Sequence, residues 1–420
     1  MKQVLSKILL LLMFAMQLQN AYAVQRFPRP EFESGYTQPQ MLQPSARSDI
    51  LAALDLTVLI ITLSVITWIV LKKRSRKGVF WVSLFSLGYF GFYRQGCVCP
   101  IGAIQNIGLG LSDHSYVVPL TVVAFFILPL LFTLFFGRTF CAGVCPFGVI
   151  QDLVVIKPQK LGSPLNTVLG MIPCIYLSLA ILYAATGTDF IICRYDPFVG
   201  IFRFNATFGM FLFAGILLAS GVFIARPYCR FLCPYGVLLN WISRFSRRHI
   251  TITPSNCIQC RLCEDSCPFE TINLPVPAKN PESKSSVAKK LFLICLLIPV
   301  LVLAGGWIGS RVHETLARVN PKVRLAIEIM HPANLKDQPE TYEIKAFRSS
   351  GKPVSQLFSE ASLILGKFYT GGWIIGGFIG LVFGMTIAGR LMITYRTDYT
   401  PNKATCFSCT RCVEYCPIKS

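Results

Sequence analysis

Twelve of the seventeen cysteines in this 420-residue chain fall into short runs whose spacing suits metal or redox chemistry. The first run is Cys257-x2-Cys260-x2-Cys263-x3-Cys267-Pro268, and Cys406-x2-Cys409-x2-Cys412-x3-Cys416-Pro417 repeats its spacing. Three thiolates on one tight loop can hold three corners of an iron–sulfur cubane, with a distant fourth closing it. In two-cluster ferredoxins the fourth cysteine of each run ligates the other cluster. That rule assigns Cys257, Cys260, Cys263 and Cys416 to one [4Fe–4S] cluster and Cys406, Cys409, Cys412 and Cys267 to a second. Zinc takes four ligands, and a three-plus-one spacing closed by Cys-Pro is not its habit.

A second pattern recurs three times. Its copies are Arg94-x2-Cys97-x-Cys99-Pro100-x-Gly102, Arg138-x2-Cys141-x3-Cys145-Pro146-x-Gly148 and Arg226-x2-Cys229-x3-Cys233-Pro234-x-Gly236, each followed by an apolar run ending in Asn or Asp. Thiols at i and i+4 can share one face of a helical turn. Cys141, Cys145, Cys229 and Cys233 could therefore form one soft-metal site, an additional cluster, or two dithiol pairs. Cys97, Cys99 and Cys193, the last in Cys193-Arg-Tyr-Asp196-Pro, form a further candidate redox or metal group. The repeat arginines would lower thiolate pKa values if they lay close. The competing reading makes all these cysteines small packing residues at turns. That reading is preferred for Cys174 and Cys295, which lie inside apolar stretches. The four histidines form no ligand spacing.

The composition says what carries these motifs. Hydrophobic residues make up 53% and charged residues 14%, against roughly 25% charged in soluble chains. A soluble fold could not hide that apolar surface, and a disordered chain is excluded for the same reason. The net charge of +20 comes from basic residues flanking apolar runs, which argues for a membrane and against nucleic acid.

Residues 1–23 read as a signal peptide, with Lys2 and Lys7, a short apolar core and an Ala21-Tyr22-Ala23 cleavage site. A polar, Pro-rich external segment, 24–49, follows. Seven apolar stretches suit transmembrane helices, at about 50–71, 79–95, 116–136, 165–186, 207–225, 289–309 and 372–392. The expected architecture is an all-α polytopic membrane protein with a split cytoplasmic two-cluster ferredoxin-like α+β domain. Its parts are a transmembrane region at 50–245 carrying the Cys-Pro motifs, a first ferredoxin half at 246–288, a transmembrane hairpin at 289–392 with an external loop at 310–371, and a second half at 393–420. Short strands are expected in that loop at Ala326–Met330 and Tyr342–Phe347 from their alternation.

Sidedness follows from parity. The basic run Lys72–Lys77 and the basic loop 226–288 should both face the cytoplasm, so an even number of crossings separates them. The N-terminus is then outside and the C-terminus cytoplasmic, on the bacterial inner membrane. Both ferredoxin halves share the reducing side, which disfavours disulfides, and they can meet only if the intervening helices fold back. Copies two and three of the Cys-Pro repeat belong at the inner end, and Cys97, Cys99 and Cys193 at the outer end. Asp55, the one acid in these spans, is expected as a snorkelling residue near the outer end, with a quinone or proton contact as the alternative.

The combination of a polytopic chain, two C-x3-C-P motifs and ferredoxin runs resembles the NapH/NosR group of membrane polyferredoxins. The resemblance covers about residues 50–420 and rests on Cys141–Cys145, Cys229–Cys233, Cys257–Cys267 and Cys406–Cys416. It implies electron transfer between a quinol or cytoplasmic donor and a periplasmic reductase or flavoprotein, with bound quinone as one relay. NosR-like members carry an external flavin-binding domain. No flavin attachment sequence is present here, so no FMN is expected on this chain. The chain is read as an electron-transfer subunit of an oxidoreductase system. The alternative is copper or iron handling or maturation, with the clusters as reductant.

Overall fold

The computed structural model describes residues 48–96, 99–252, 257–276, 284–330, 341–392 and 395–418. The expected signal peptide, nearly all of the external segment, and Cys97 lie outside these residues. Among the described residues, four helices are long and apolar enough to cross a membrane: Asp49–Lys73, Pro164–Ala185, Ser285–Ala317 and Val354–Leu391. A fifth crossing results if Pro197–Arg203 and Phe208–Gly221, bent by 109°, count together. The expected span at 116–136 appears as the shorter apolar helix Leu120–Phe136. The one at 79–95 appears as Arg76–Ser86 running into a wide helical turn, Leu87–Tyr93. The chain is thus a mainly helical membrane protein with four or five candidate crossings among the described residues, against the seven expected.

The last two long helices are tied by glycine. Gly305 and Gly309 face Gly372, Gly376 and Gly380. A Cβ added at Gly376 would run into the Gly305 carbonyl, and one at Gly309 into the Gly372 carbonyl. Small residues let helix backbones approach this closely, and close approach supplies the van der Waals attraction that holds helices together in lipid.

The hairpin returns the chain to where it left. Ile272–Asn273 pairs antiparallel with Thr400–Pro401, and Val276 exchanges backbone hydrogen bonds of 2.9 and 3.1 Å with Arg396. The Phe269 and Phe407 rings meet at 4.7 Å. The one-turn helices Leu262–Asp265 and Arg411–Glu414 lie against each other. Both four-cysteine runs therefore sit at one end of the molecule. Arg76 donates to the Cys409 carbonyl at 3.3 Å, which places the basic turn at the end of the first long helix there too.

One expectation about the hairpin is corrected. Its helices run over Lys284–Ala317 and Val354–Leu391, longer than the spans expected at 289–309 and 372–392. The segments expected as strands are helices, Pro321–Met330 and Tyr342–Ser349. The physical reason is periodicity. Val323 and Ala326 are buried three residues apart, with Ile327 packed beside them, and Pro321 opens the first turn, where it is tolerated.

Candidate metal centres

Three hollows in the structure are each ringed by four cysteines. The first is lined by Cys257, Cys260, Cys263 and Cys416, with Ile252 and Tyr399 among its walls. The second is lined by Cys267, Cys406, Cys409 and Cys412, with Ile250, Phe269 and Phe407. Each takes three thiols from one run and the fourth from the other. The third is lined by Cys141, Cys145, Cys229 and Cys233, with Phe140 and Tyr235. Their free volumes are alike, about 390, 330 and 320 Å3. No three His, Cys, Asp or Glu side chains among the described residues converge tightly enough for a single metal ion. Four thiols spread around an apolar hollow suit a cubane, which takes one thiolate at each iron corner.

Local backbone prepares these sulfurs. Cys145 and Cys233 stand at the N-caps of Pro146–Val154 and Pro234–Ser243, where free amides point outward. The Gly236 N–H donates to Cys233 Sγ at 3.3 Å, Gln151 Nε2 to Cys229 Sγ at 3.3 Å, and the Ser408 N–H to Cys406 Sγ at 3.4 Å. Burial pushes the Cys406 thiol up to about 12, with the Ser408 amide pulling the other way. Burial, then the neighbouring Cys409 and Cys406, pushes Cys412 up as well. A thiolate in that hollow needs a bound positive charge to offset its desolvation, which iron supplies.

Two arginines and two aromatic rings join the second hollow to the third. The Arg138 guanidinium lies 4.4 Å from the Phe407 ring centre and that of Arg226 5.4 Å. Arg138 Nη2 reaches Cys141 Sγ at 3.8 Å. Arg226 pairs with Asp152, with contacts of 2.6 and 2.8 Å, and also donates to the Cys141 carbonyl. It is fully buried. Removing one partner of a buried pair typically costs about 3–5 kcal/mol, whereas replacing both with apolar residues can be neutral. Arg226→Met should therefore lower the thermal midpoint of the purified protein sharply, and Asp152→Leu in the same chain should recover much of the loss. Equal stability of the single variant and the parent would refute a structural role for the pair.

The three repeat arginines differ in what they lie beside. Arg94 pairs with Asp55 at 2.9 Å, and the Tyr89 hydroxyl donates to the same carboxylate at 2.8 Å. Asp55 is 1% exposed, so the expected snorkelling end residue is a buried ion-pair partner. Its partner comes from a distant repeat, which no local pattern announces.

Cys99 and Cys193 line one further hollow, with Gly102, Asn106, Phe125 and Asp196. It lies away from the ferredoxin halves. The Thr67–Thr139 hydroxyl contact of 3.1 Å sets the level of copy two on the first long helix, and Asp55 sets that of copy one. The two levels differ by about 18 Å at ~1.5 Å per residue. Cys174 is buried in the Ile172–Ala185 helix and Cys295 is exposed on the apolar Lys284–Ala317 helix.

Comparison with known proteins agrees with this geometry. A family described as 4Fe-4S binding domain matches residues 118–164 and 205–253, which carry the two C-x3-C-P motifs, and a second family of that description matches 250–273. The chain is 29% identical to NirI of Paracoccus denitrificans over 50% of its own length and 33% of the relative's. It is 28% identical to Escherichia coli YccM, a protein named for electron transport, over 40% of this chain and 52% of that one. It is 26% identical to the regulatory protein NosR of Stutzerimonas stutzeri, over 48% and 30%. The chain thus spans between 30% and 52% of the length of these curated relatives. No solved structure matches it. Fold and site together define a mainly helical membrane protein with 4Fe-4S binding domains. It is similar to NirI, YccM and NosR, and its Cys-Pro segments and first four-cysteine run match 4Fe-4S binding domain families.

Proposed function

We propose that this protein carries single electrons across the bacterial inner membrane, between a quinol or cytoplasmic donor and a periplasmic reductase or flavoprotein. The observation that carries the reading is the row of three four-thiol hollows leading inward from one end of the molecule. Cys257, Cys260, Cys263 and Cys416 hold one [4Fe–4S] cluster there, Cys267, Cys406, Cys409 and Cys412 a second, and Cys141, Cys145, Cys229 and Cys233 a third. Bound clusters supply reversible one-electron chemistry. The protein keeps water from the sulfurs with Phe269, Phe407, Phe140 and Tyr235, and aims backbone amides at them.

The orientation rests on a seven-crossing topology. Counting the bent pair, Leu120–Phe136 and Arg76–Tyr93 as spans restores seven, and both ferredoxin halves then share a side with the basic turn Lys72–Lys77. Basic flanks favour the cytoplasm. The hydrocarbon core is about 30 Å thick, too wide for one unaided hop, so the Cys-Pro hollow within the helices serves as the relay. A cleft lined by Met171, Phe231, Trp241, Val382, Arg138 and Glu270 opens beside Cys229 and Cys233. It suits a quinol ring, with apolar walls for the ring and charged groups for its hydroxyls.

The test is iron, sulfide and copper analysis with EPR on the anaerobically purified full chain. We expect at least about twelve irons per chain, and about four fewer in Cys141→Ser/Cys229→Ser, at one cubane per four-thiol site. A preparation free of iron sinks the proposal. Copper that copurifies and vanishes in the same double variant would transfer the Cys-Pro thiols to metal handling.

A further inference from the structure

The Cys-Pro repeat has a fourth copy that its spacing hides, and copies one and four meet as copies two and three do. Copies two and three each consist of a five-residue helix with cysteine at its third position, then an N-capping cysteine and a proline-opened helix. In copy two these are Thr139–Gly143 with Cys141, then Cys145 before Pro146. In copy three they are Pro227–Phe231 with Cys229, then Cys233 before Pro234. Residues 191–203 repeat the design: Ile191–Tyr195 with Cys193 at the third position, then Asp196 as the N-cap of Pro197–Arg203. Asp196 stands where the others have the second cysteine.

The pairing between copies is also repeated. In copy two Gln151, five residues after the proline, accepts the N–H of Tyr228, just before Cys229. In copy one Gln105, also five residues after its proline, accepts the N–H groups of Ile192, just before Cys193, and of Cys193 itself, at 3.0 and 3.3 Å. A Cβ at Gly148 would meet Cys229 Sγ at 3.7 Å, and one at the equivalent Gly102 would meet Cys193 Sγ at 3.1 Å. Cys99 caps its helix as Cys145 and Cys233 cap theirs. Copies one and four thus enclose the hollow lined by Cys99, Cys193 and Asp196, as copies two and three enclose theirs.

We propose that this hollow is a further iron–sulfur cluster site, with Cys99, Cys193 and the Asp196 carboxylate as ligands at three iron corners and a solvent oxygen at the fourth, at the far end of the row from the ferredoxin halves. The proposal deepens the electron-transfer reading and rests on it. The carboxylate accepts from the Phe198 and Val199 amides at 2.9 and 3.2 Å and from the Tyr228 hydroxyl. A carboxylate offers about four lone-pair positions, so one stays open to iron. Ile101 walls the third hollow and Cys99 the new one, and Tyr228 stands between Cys229 and Asp196. The new site would take one electron from the third hollow's cluster and give one to an acceptor, with no bond made or broken.

The experiment is iron analysis and EPR on the anaerobically purified full chain, with Cys193→Ser, Asp196→Cys and, as a control lining none of these hollows, Cys295→Ser. Four cubanes predict about sixteen irons in the parent and about four fewer in Cys193→Ser, with the ferredoxin signals intact. Asp196→Cys should keep its iron and shift one EPR signal, because a thiolate replaces an oxygen ligand. About twelve irons in the parent, or an unchanged count in Cys193→Ser, overturns the proposal while leaving the three-hollow reading standing. If Cys193→Ser does not accumulate, the parent's count and the Asp196→Cys spectrum decide. An iron-free parent defeats the electron-transfer reading itself.

Discussion

Cys267→Ser is expected to remove the cluster held by the other run. Cys267 follows Cys257, Cys260 and Cys263 in the chain, yet its side chain lines the hollow of Cys406, Cys409 and Cys412. Cys416 likewise lines the hollow of the first run. In the crossed arrangement Cys267→Ser leaves the 257–263 cluster intact, and Cys416→Ser leaves the 406–412 cluster intact. Each variant should lose about four irons, and the two should retain different EPR signals. Combining Cys267→Ser with Cys406→Ser should lose no more than Cys267→Ser alone, because both belong to one site. Combining Cys267→Ser with Cys260→Ser should lose about eight. If that second pair lost only four, each run would hold its own cluster and the crossed assignment would fall.

Gly376→Leu should unload both ferredoxin sites without touching a cysteine. No Cβ fits between Gly376 and the Gly305 carbonyl, so the hairpin helices must move apart. The strand pair of Ile272 with Pro401 and the Phe269–Phe407 contact then lose their register. Each ferredoxin half keeps three thiols and lacks the fourth. The expected result is a chain that still inserts in the membrane, retains the iron bound by Cys141, Cys145, Cys229 and Cys233, and has lost about eight irons. Gly389→Leu is the control, since a Cβ there meets nothing within 4 Å. Normal iron in Gly376→Leu would show that the halves find each other without the glycine seam.

The membrane-bound iron–sulfur character was legible because it rests on local signals. The spacing of Cys257 to Cys267 is set by how one loop wraps three corners of a cubane, and the long apolar runs by the absence of water in the bilayer. Other features depend on which distant segment arrives next to a residue. Asp55 looked like a stray acid at a helix end, because its partner Arg94 lies on another helix. The 326–330 stretch reads as a strand because the helix face it belongs to, Val323 and Ala326 three residues apart, begins before the alternating residues. The Asp196 copy is not legible in cysteine spacing, because its shape lies in helix breaks and caps.

The sequence by itself determined the ligand types, their grouping in threes and fours, and the apolar setting that holds them. Only the tertiary structure decided which thiols share a hollow and which charges are cancelled inside the fold. The physical reason is that spacing along a chain constrains neighbours within one turn or loop. The meeting of residues 100 or more positions apart is set by how whole helices pack, here by glycines such as Gly305 and Gly376, whose missing side chains let two backbones close together.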